Sequence, residues 1–412
     1  MHRLTIFIFV FLFYVFLDYY VFQAVKVLTQ GLSNQTRLFV NILYWSLTGL
    51  TFIGLLSWNL LDSTKHGTIR SLIVTAFAIN FLSKFIAGIF VFADDIIRVG
   101  KYAYQGLVQN GAAASKEGIT RSDFLAKSAL VAGIIPMATL SYGIISGAYD
   151  YRVRKRTVLI KSLPSAFDGL RIAQLSDIHS GSFYNKTAVQ GGVDMMLAEK
   201  PDLFLFTGDL VNNDASEVKD YMNIFEKAKA PLGSYSVLGN HDYGDYKSWP
   251  SQKAKKQNFE NLVQSHKNMG WDILLNEHRY IEVNGERLAL IGVENWGERG
   301  FVKHGNMELA TRNLEADTKI LLSHDPSHWD AQVRLEHGDI DLTLSGHTHG
   351  FQFGVEIGNF RWSPSQYLYK QWADLYTEGN QHLYVNRGFG FLGYPGRVGI
   401  LPEITILELK KG

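Results

Sequence analysis

Val237-Leu238-Gly239-Asn240-His241-Asp242 decides how the rest of the chain is read. The run Ser236 to Leu238 reads as the end of a buried strand. A glycine then turns the backbone, and an amide, an imidazole and a carboxylate follow at once. Three such side chains on one tight turn are costly, because a buried polar group needs a partner. A single stretch of this kind reads equally well as a turn with a satisfied histidine. Here the pattern of strand and then polar cluster recurs. Leu170 to Leu175 leads into Ser176-Asp177-Ile178-His179, and Asp202 to Phe206 leads into Thr207-Gly208-Asp209. Lys319 to Leu322 leads into Ser323-His324-Asp325, and Leu342 to Leu344 into Ser345-Gly346-His347-Thr348-His349. Ligands of α/β proteins bind outside the carboxyl ends of strands, so five such strands predict one convergent site.

The donor chemistry is carboxylate, amide oxygen and imidazole, and the chain has no cysteine. Thiolate zinc sites and iron–sulfur clusters are excluded. A mixed N/O shell suits Mn²⁺, Fe or Zn²⁺. The candidate ligands outnumber what one ion needs. A pair of ions roughly 3.5–4 Å apart, sharing one carboxylate, would use them all.

With its five blocks (DxH, GD, GNHD, H, GHTH) complete and in order, the chain resembles the calcineurin-like metallophosphoesterases over about residues 165–410. Position by position, the resemblance implies that Asp177, His179 and His349 bind the first of two divalent metal ions and that Asp209 bridges. Asn240, His324 and His347 would bind the second. His241 would contact the phosphate and protonate or stabilise the leaving oxygen. A bridging hydroxide would be the in-line nucleophile. The implied fold is the four-layer αββα sandwich. Val385-Asn386-Arg387-Gly388-Phe389-Gly390, Pro395-Gly396-Arg397 and Leu401-Pro402-Glu403-Ile404 are similar to the tail of the YkuE/YaeI-like branch. Arg387 and Arg397 would reach substrate phosphate, which suits a guanidinium fork, or would tie the C-terminal strands together. The branch often has two glycines after GHTH. Phe351 stands at the second, so that wall of the pocket is expected to differ.

The first 150 residues are another material. Four apolar runs, at 4–28, 37–61, 69–93 and 124–149, are each long enough to cross a hydrocarbon core of about 30 Å at about 1.5 Å per residue. A cleaved signal peptide would explain only the first. The reading is four transmembrane helices in residues 1–150, a basic linker and first strand at 151–164, and the metallophosphoesterase domain at 165–412. Asp18 and Lys84 lie deep in the first and third spans, where a charge is expensive and pairs or lines a polar pocket. They are expected to face each other. Gly133, Gly143 and Gly147 suit the fourth span to close packing.

An even number of spans puts the N-terminus and the enzyme domain on one side. Lysine and arginine divide evenly between the two sides, so the positive-inside rule leaves the orientation open. Thr120-Arg121-Ser122-Asp123-Phe124-Leu125-Ala126-Lys127 resembles a degraded twin-arginine export signal, which leans towards an extracytoplasmic enzyme domain in a bacterial inner membrane. The cluster Arg152-Val153-Arg154-Lys155-Arg156 is expected to rest on anionic headgroups. A net charge of +1 argues against a nucleic-acid partner. The aromatics between Phe360 and Tyr376 form a satellite core or an interfacial belt.

The expected activity is hydrolysis of a phosphoester or pyrophosphate bond in a phosphorylated, lipid-linked or membrane-proximal substrate, with the lipid bilayer as partner. One alternative is a UDP-2,3-diacylglucosamine pyrophosphatase-like enzyme of lipid A synthesis. Another, of a different class, is a membrane sensor or transporter with a regulatory phosphoesterase-fold binding module.

Overall fold

A computed structural model describes residues 2–61, 67–108, 122–300, 302–358 and 360–412. The chain divides into two compact units, Met1–Tyr142 and Gly143–Gly412.

The first unit is helical: α1 (His2–Thr29), α2 (Asn34–Ser57), α3 (Gly67–Val108) and most of α4 (Asp123–Ile145). All four are long and apolar enough to cross a membrane. Leu17, Val21, Ala24, Ala87, Val91, Ala126 and Ala129 form its small-residue core. Gly133 lets α4 approach α3, since a Cβ there would stand 3.0 Å from the Ser83 carbonyl. Asp18 and Lys84 form a buried ion pair. Lys84 also donates to Thr48 Oγ1 at 2.8 Å, and the Tyr44 hydroxyl donates to the Asp18 carbonyl at 2.8 Å. The third helix runs on to Val108, past the expected end of its span at 93. Lys65, Lys116, Thr120 and Arg121 lie outside the described residues.

The second unit is a four-layer αββα sandwich. One six-stranded sheet has the order β1 (Arg152–Ile160), β14 (Glu403–Lys411), β2 (Arg171–Leu175), β3 (Leu203–Phe206), β4 (Ser234–Ser236), β5 (Asp272–Ile273). The other has the order β12 (Asp374–Glu378), β13 (Gln381–Val385), β9 (Leu342–Ser345), β8 (Lys319–Leu322), β7 (Glu286–Gly292), β6 (Glu277–Val283). Strands β2 to β5 run parallel, as do β7, β8, β9 and β13. Strand periodicity explains the layers, because alternate side chains face opposite ways. In β3, Leu203 and Leu205 point to the core between the sheets, with Leu290, Leu322 and Leu344. Phe204 and Phe206 point outward to Val189, Val193 and Met196 of α5 (Lys186–Ala198). On the far sheet Leu321 and Leu383 face Trp329 and Val333. Asn284 and Gly285 both take positive φ, 52° and 83°, in the tight turn that joins β6 to β7.

The basic cluster after the fourth helix is strand rather than linker. Residues Arg152 to Ile160 pair in parallel with Glu403 to Lys411. Four of its charges meet carboxylates. Arg152 pairs with Asp150, Arg154 with Glu356, Lys155 with Glu199 and Arg156 with Asp374. After β3 the chain forms a 3-10 segment (Ala215–Tyr221) followed by one short helical turn (Met222–Phe225).

Candidate metal centre

The carboxyl ends of β2, β3, β8 and β9 and the turn after β4 bring the five polar clusters together. Five of the expected ligands leave their strands in the left-handed region, with φ of 52° at Asp177, 48° at His179, 60° at Asp209, 70° at His347 and 49° at His349. Each costs roughly 1–2 kcal/mol for a residue with a Cβ, and persists only where the surroundings over-determine it. Two glycines permit the close approach. A Cβ on Gly239 would strike the Asp209 carboxylate, and one on Gly346 would strike Ser176 and the Asp177 carboxylate.

Two groups of ligand atoms result. Asp177, His179 and His349 offer atoms that all lie within 4.8 Å of one another, and so do Asp209, His324 and His347. The groups adjoin at Asp209, whose Oδ2 is 3.5 Å from His179 Nε2 and 3.2 Å from His324 Nε2. Asn240 Oδ1 lies 2.9 Å from His347 Nδ1, which is 3.3 Å from His324 Nε2. His179 Nε2 and His349 Nε2 face each other at 3.0 Å. Nitrogen atoms turned so closely on one another and on carboxylates fit a shared cation.

Second partners fix the rings, as is usual around metals. His324 Nδ1–H donates to the Thr207 carbonyl at 2.8 Å, and His179 Nδ1–H donates to Asn212 Oδ1 at 3.1 Å. In the neutral rings both leave Nε2 as the lone-pair atom directed inward. Tyr369 Oη is 2.8 Å from His347 Nε2, and Asn240 Nδ2 donates to Tyr246 Oη at 2.8 Å, which turns the amide oxygen to the centre. Burial pushes His179 down to about 3, so it is neutral. Burial also opposes charge on His324, but the adjoining Asp209 carboxylate outweighs it and raises His324 to about 10. Asp209 is held far below the carboxylate range by His324 and His241, against the effect of burial.

His241 stands beside the centre and is half-buried. Its backbone N–H donates to Asp209 Oδ1, and its Nδ1–H donates to the Asn212 carbonyl, each at 2.9 Å. Nε2 therefore has no proton in the neutral ring and is the atom left for chemistry.

The two arginines expected at substrate phosphate are engaged elsewhere. Arg387 is fully buried, with Nη1 on Glu403 at 2.6 Å and Nη2 on Glu356 at 2.8 Å. Arg397 is 1% exposed and donates to the Gly390 carbonyl and to His349 Nδ1, the latter at 3.1 Å. Neither guanidinium presents a free fork. Both side chains tie the C-terminal segment to its surroundings, as the alternative reading expected.

Four contributors escaped the sequence reading. Asp242 is not a ligand. It accepts four backbone N–H groups, from Asp209, Leu210, Val211 and Gly239, and so clamps two of the ligand turns together. Asn212 orients both His179 and His241. Tyr246 and Tyr369 orient Asn240 and His347. Asp242 carried a signal as the last residue of the GNHD block, though not its role, and Asn212 as the first of two asparagines just after the Gly208-Asp209 block.

Residues 2–148 match the family model described as "Probable Calcineurin-like phosphoesterase, transmembrane domain", and residues 170–351 match "Calcineurin-like phosphoesterase". A transmembrane protein with metallophosphoesterase domain from Danio rerio is 30% identical over 309 residues, which is 72% of this chain and 66% of that one. The uncharacterized metallophosphoesterase YkuE of Bacillus subtilis is 28% identical over 288 residues, covering 68% of this chain and 94% of that one. Phosphodiesterase YaeI of Escherichia coli is 26% identical, covering 62% and 87%. The chain thus spans just under two thirds of the length of the Danio rerio relative. Fold, site and helices define a membrane protein with a histidine and carboxylate centre built for divalent metals. It belongs to the calcineurin-like metallophosphoesterase family, in the YkuE/YaeI-like branch, with a four-helix transmembrane domain ahead of the phosphoesterase domain.

Proposed function

We propose that the protein is a membrane-anchored phosphoesterase that uses two divalent metal ions, Mn, Fe or Zn, to hydrolyse a phosphoester or pyrophosphate bond of a lipid-linked or membrane-proximal substrate. The observation that carries this reading is the pair of ligand groups adjoining at Asp209, with the half-buried His241 beside them. Asp177, His179 and His349 would hold one ion, Asn240, His324 and His347 the other, and Asp209 both. Bound there, the ions would supply Lewis-acid polarisation of phosphoryl oxygen and a water of lowered pKa. Asp209 holds negative charge at the centre. His241 keeps its Nδ1 proton on the Asn212 carbonyl, so that Nε2 is the atom that takes up a proton and, from the imidazolium, gives it to the leaving oxygen. The YaeI relative is named a phosphodiesterase, which makes a diester the first substrate class to try. The UDP-2,3-diacylglucosamine reading is kept as the substrate-level alternative. We place the protein in a bacterial inner membrane, with the phosphoesterase domain on the extracytoplasmic side.

The test compares the wild-type chain and Asn240→Ala on an aryl phosphodiester and on UDP-diacylglucosamine, with bound metal counted in both proteins. Turnover with about two metals per chain, lost in the variant, supports the reading. A metal-loaded wild type that turns over neither compound sinks it and moves weight to a regulatory binding module.

A further inference from the structure

The hairpin of β10 (Val355–Ile357) and β11 (Phe360–Trp362) is built inside out. Its register sets Val355 opposite Trp362, Glu356 opposite Arg361 and Ile357 opposite Phe360. Paired residues share a face and alternate residues face opposite ways. The one charged pair therefore takes one face and the four apolar residues the other. The charged face is turned to the protein. Glu356 accepts from the buried Arg387 at 2.8 Å and pairs with Arg154, and Arg361 lies 3.0 Å from Asp374. The apolar face is turned away, with Ile357 73% and Phe360 62% exposed. A hairpin packed on a domain in water shows the reverse, apolar side chains inward and polar ones outward.

The apolar surface continues past the hairpin. Phe351 and Phe353 before it and Tyr367 and Leu368 after it are exposed as well. Trp362 Nε1–H donates to Tyr367 Oη at 3.3 Å and ties the following turn to β11. Trp372, by contrast, is buried in a small core with Ala373 and Ile400. Large apolar side chains gathered on one surface mark an interaction site.

The surroundings name the partner. The base of the hairpin is joined to the stretch that leaves the fourth candidate span. Phe353 bridges Val398, whose N–H donates to the Gln352 carbonyl at 2.8 Å and whose carbonyl accepts from Gly354 N–H at 2.9 Å. The adjacent Arg397 N–H donates to the Gly143 carbonyl at 3.1 Å, and Gly143 has no room for a Cβ beside Val398. Gly143 lies within the fourth span, which runs to Tyr149. The same surface borders the candidate centre. Phe351 stands two residues after His349, and Leu368 directly precedes Tyr369, whose Oη is 2.8 Å from His347 Nε2. An apolar face attached at one edge to a membrane-exit helix fits a lipid surface.

We propose that this face, led by Ile357 and Phe360, inserts into the leaflet that the fourth helix leaves, and that the centre takes its phosphoester from an amphiphile whose chains stay in the bilayer. The insertion stands on the hairpin alone. The substrate class rests on the phosphoesterase reading and narrows it to a lipid-borne ester.

The chain has no cysteine, so a single introduced one carries a label at a known place. Ile357→Cys and, on the exposed side of β6, Glu282→Cys are each labelled with a nitrobenzoxadiazole fluorophore in the full chain and reconstituted into phosphatidylcholine–phosphatidylglycerol vesicles. Nitroxide-bearing lipids should quench the label at 357 and leave that at 282 unchanged, and aqueous iodide should do the reverse. Phe360→Cys repeats the measurement where Ile357→Cys does not fold. Quenching by iodide at both positions overturns the insertion. So does a label at 357 shielded from iodide but untouched by nitroxide lipid, as a second copy of the chain would shield it. The chain carrying both Ile357→Ser and Phe360→Ser then tests the substrate. Its kcat/KM for a p-nitrophenyl phosphodiester of diacylglycerol in the vesicle should fall by about tenfold or more, while that for methyl p-nitrophenyl phosphate keeps its wild-type value. An equal change for both esters, or none for either, overturns the lipid-borne substrate. A wild type that hydrolyses neither ester overturns the phosphoesterase reading and the substrate class with it, while the quenching still decides the insertion.

Discussion

His241 donates through Nδ1 to a carbonyl, so its tautomer is set before any substrate arrives. It also sits outside both ligand groups. His241→Gln should therefore keep the metal content of the wild type while kcat falls by roughly 10²–10⁴. Metal analysis beside steady-state rates checks this, and loss of metal in the variant would make His241 a ligand instead. In the membrane unit the residue to test is Asp18. Its carboxylate and the Lys84 ammonium are both buried and matched. Removing one leaves the other uncompensated, at a cost of about 3–5 kcal/mol. Asp18→Lys and Lys84→Asp should each lower thermal stability in detergent, and the double swap should recover most of it. A double variant no better than either single one would refute the pairing.

Two elements hold the C-terminal segment against the site. The end of α4 is one. The Arg397 backbone N–H donates to the Gly143 carbonyl at 3.1 Å, and Gly147 packs on the Arg397 carbonyl with no room for a Cβ. The Arg397 side chain in turn donates to His349. A Gly147→Val substitution should push this segment away, loosen His349 and weaken metal binding, with the larger loss at one of the two sites. Metal titration followed by calorimetry reads this directly, and two unaltered sites would show that the helix end is only an attachment. The other element is β12. Asp374 takes both forks of Arg156, at 2.7 and 2.8 Å, and lies 3.0 Å from Arg361. Burial opposes its charge, but Arg156 and Arg387 win and bring it down to about 2. A carboxyl lower in the folded state than its ordinary value of 3.8 stabilises the fold above pH ~4, and the benefit fades as pH falls towards 2. Asp374→Asn should thus cost about 2 kcal/mol near pH 6 and much less near pH 3, as read from thermal melts at the two pH values. An equal loss at both would deny the charge a role.

At the scale of the whole chain, four crossings would place both ends of the polypeptide on one face of a membrane. Reporters fused at the N-terminus and at Gly412 should be protected or labelled together, and opposite labelling would mean that one helix does not cross. Which face it is depends on charges that balance across the spans. Two of the positive charges, Arg154 and Arg156, pair with carboxylates within the phosphoesterase unit. The remaining clue, at Thr120 and Arg121, lies outside the described residues.

The four apolar runs, the β-strands ending in Asp, Asn or His and the gathering of those end residues in one place were all legible in the chain. Each is a local property: hydrophobic length, strand periodicity, or a donor type at the end of a strand. The Asn284-Gly285 hairpin was legible for the same reason, since two positive φ values are a local demand. Legibility ended where a side chain's partner is distant in sequence. Arg387 and Arg397 look alike as C-terminal arginines, but Glu403 and Glu356 claim one and His349 holds the other. Asp242 sits among ligands in the chain, yet four N–H groups draw it away from them. Such choices depend on desolvation and geometry across the packed sheets, and these exist only once the layers have closed.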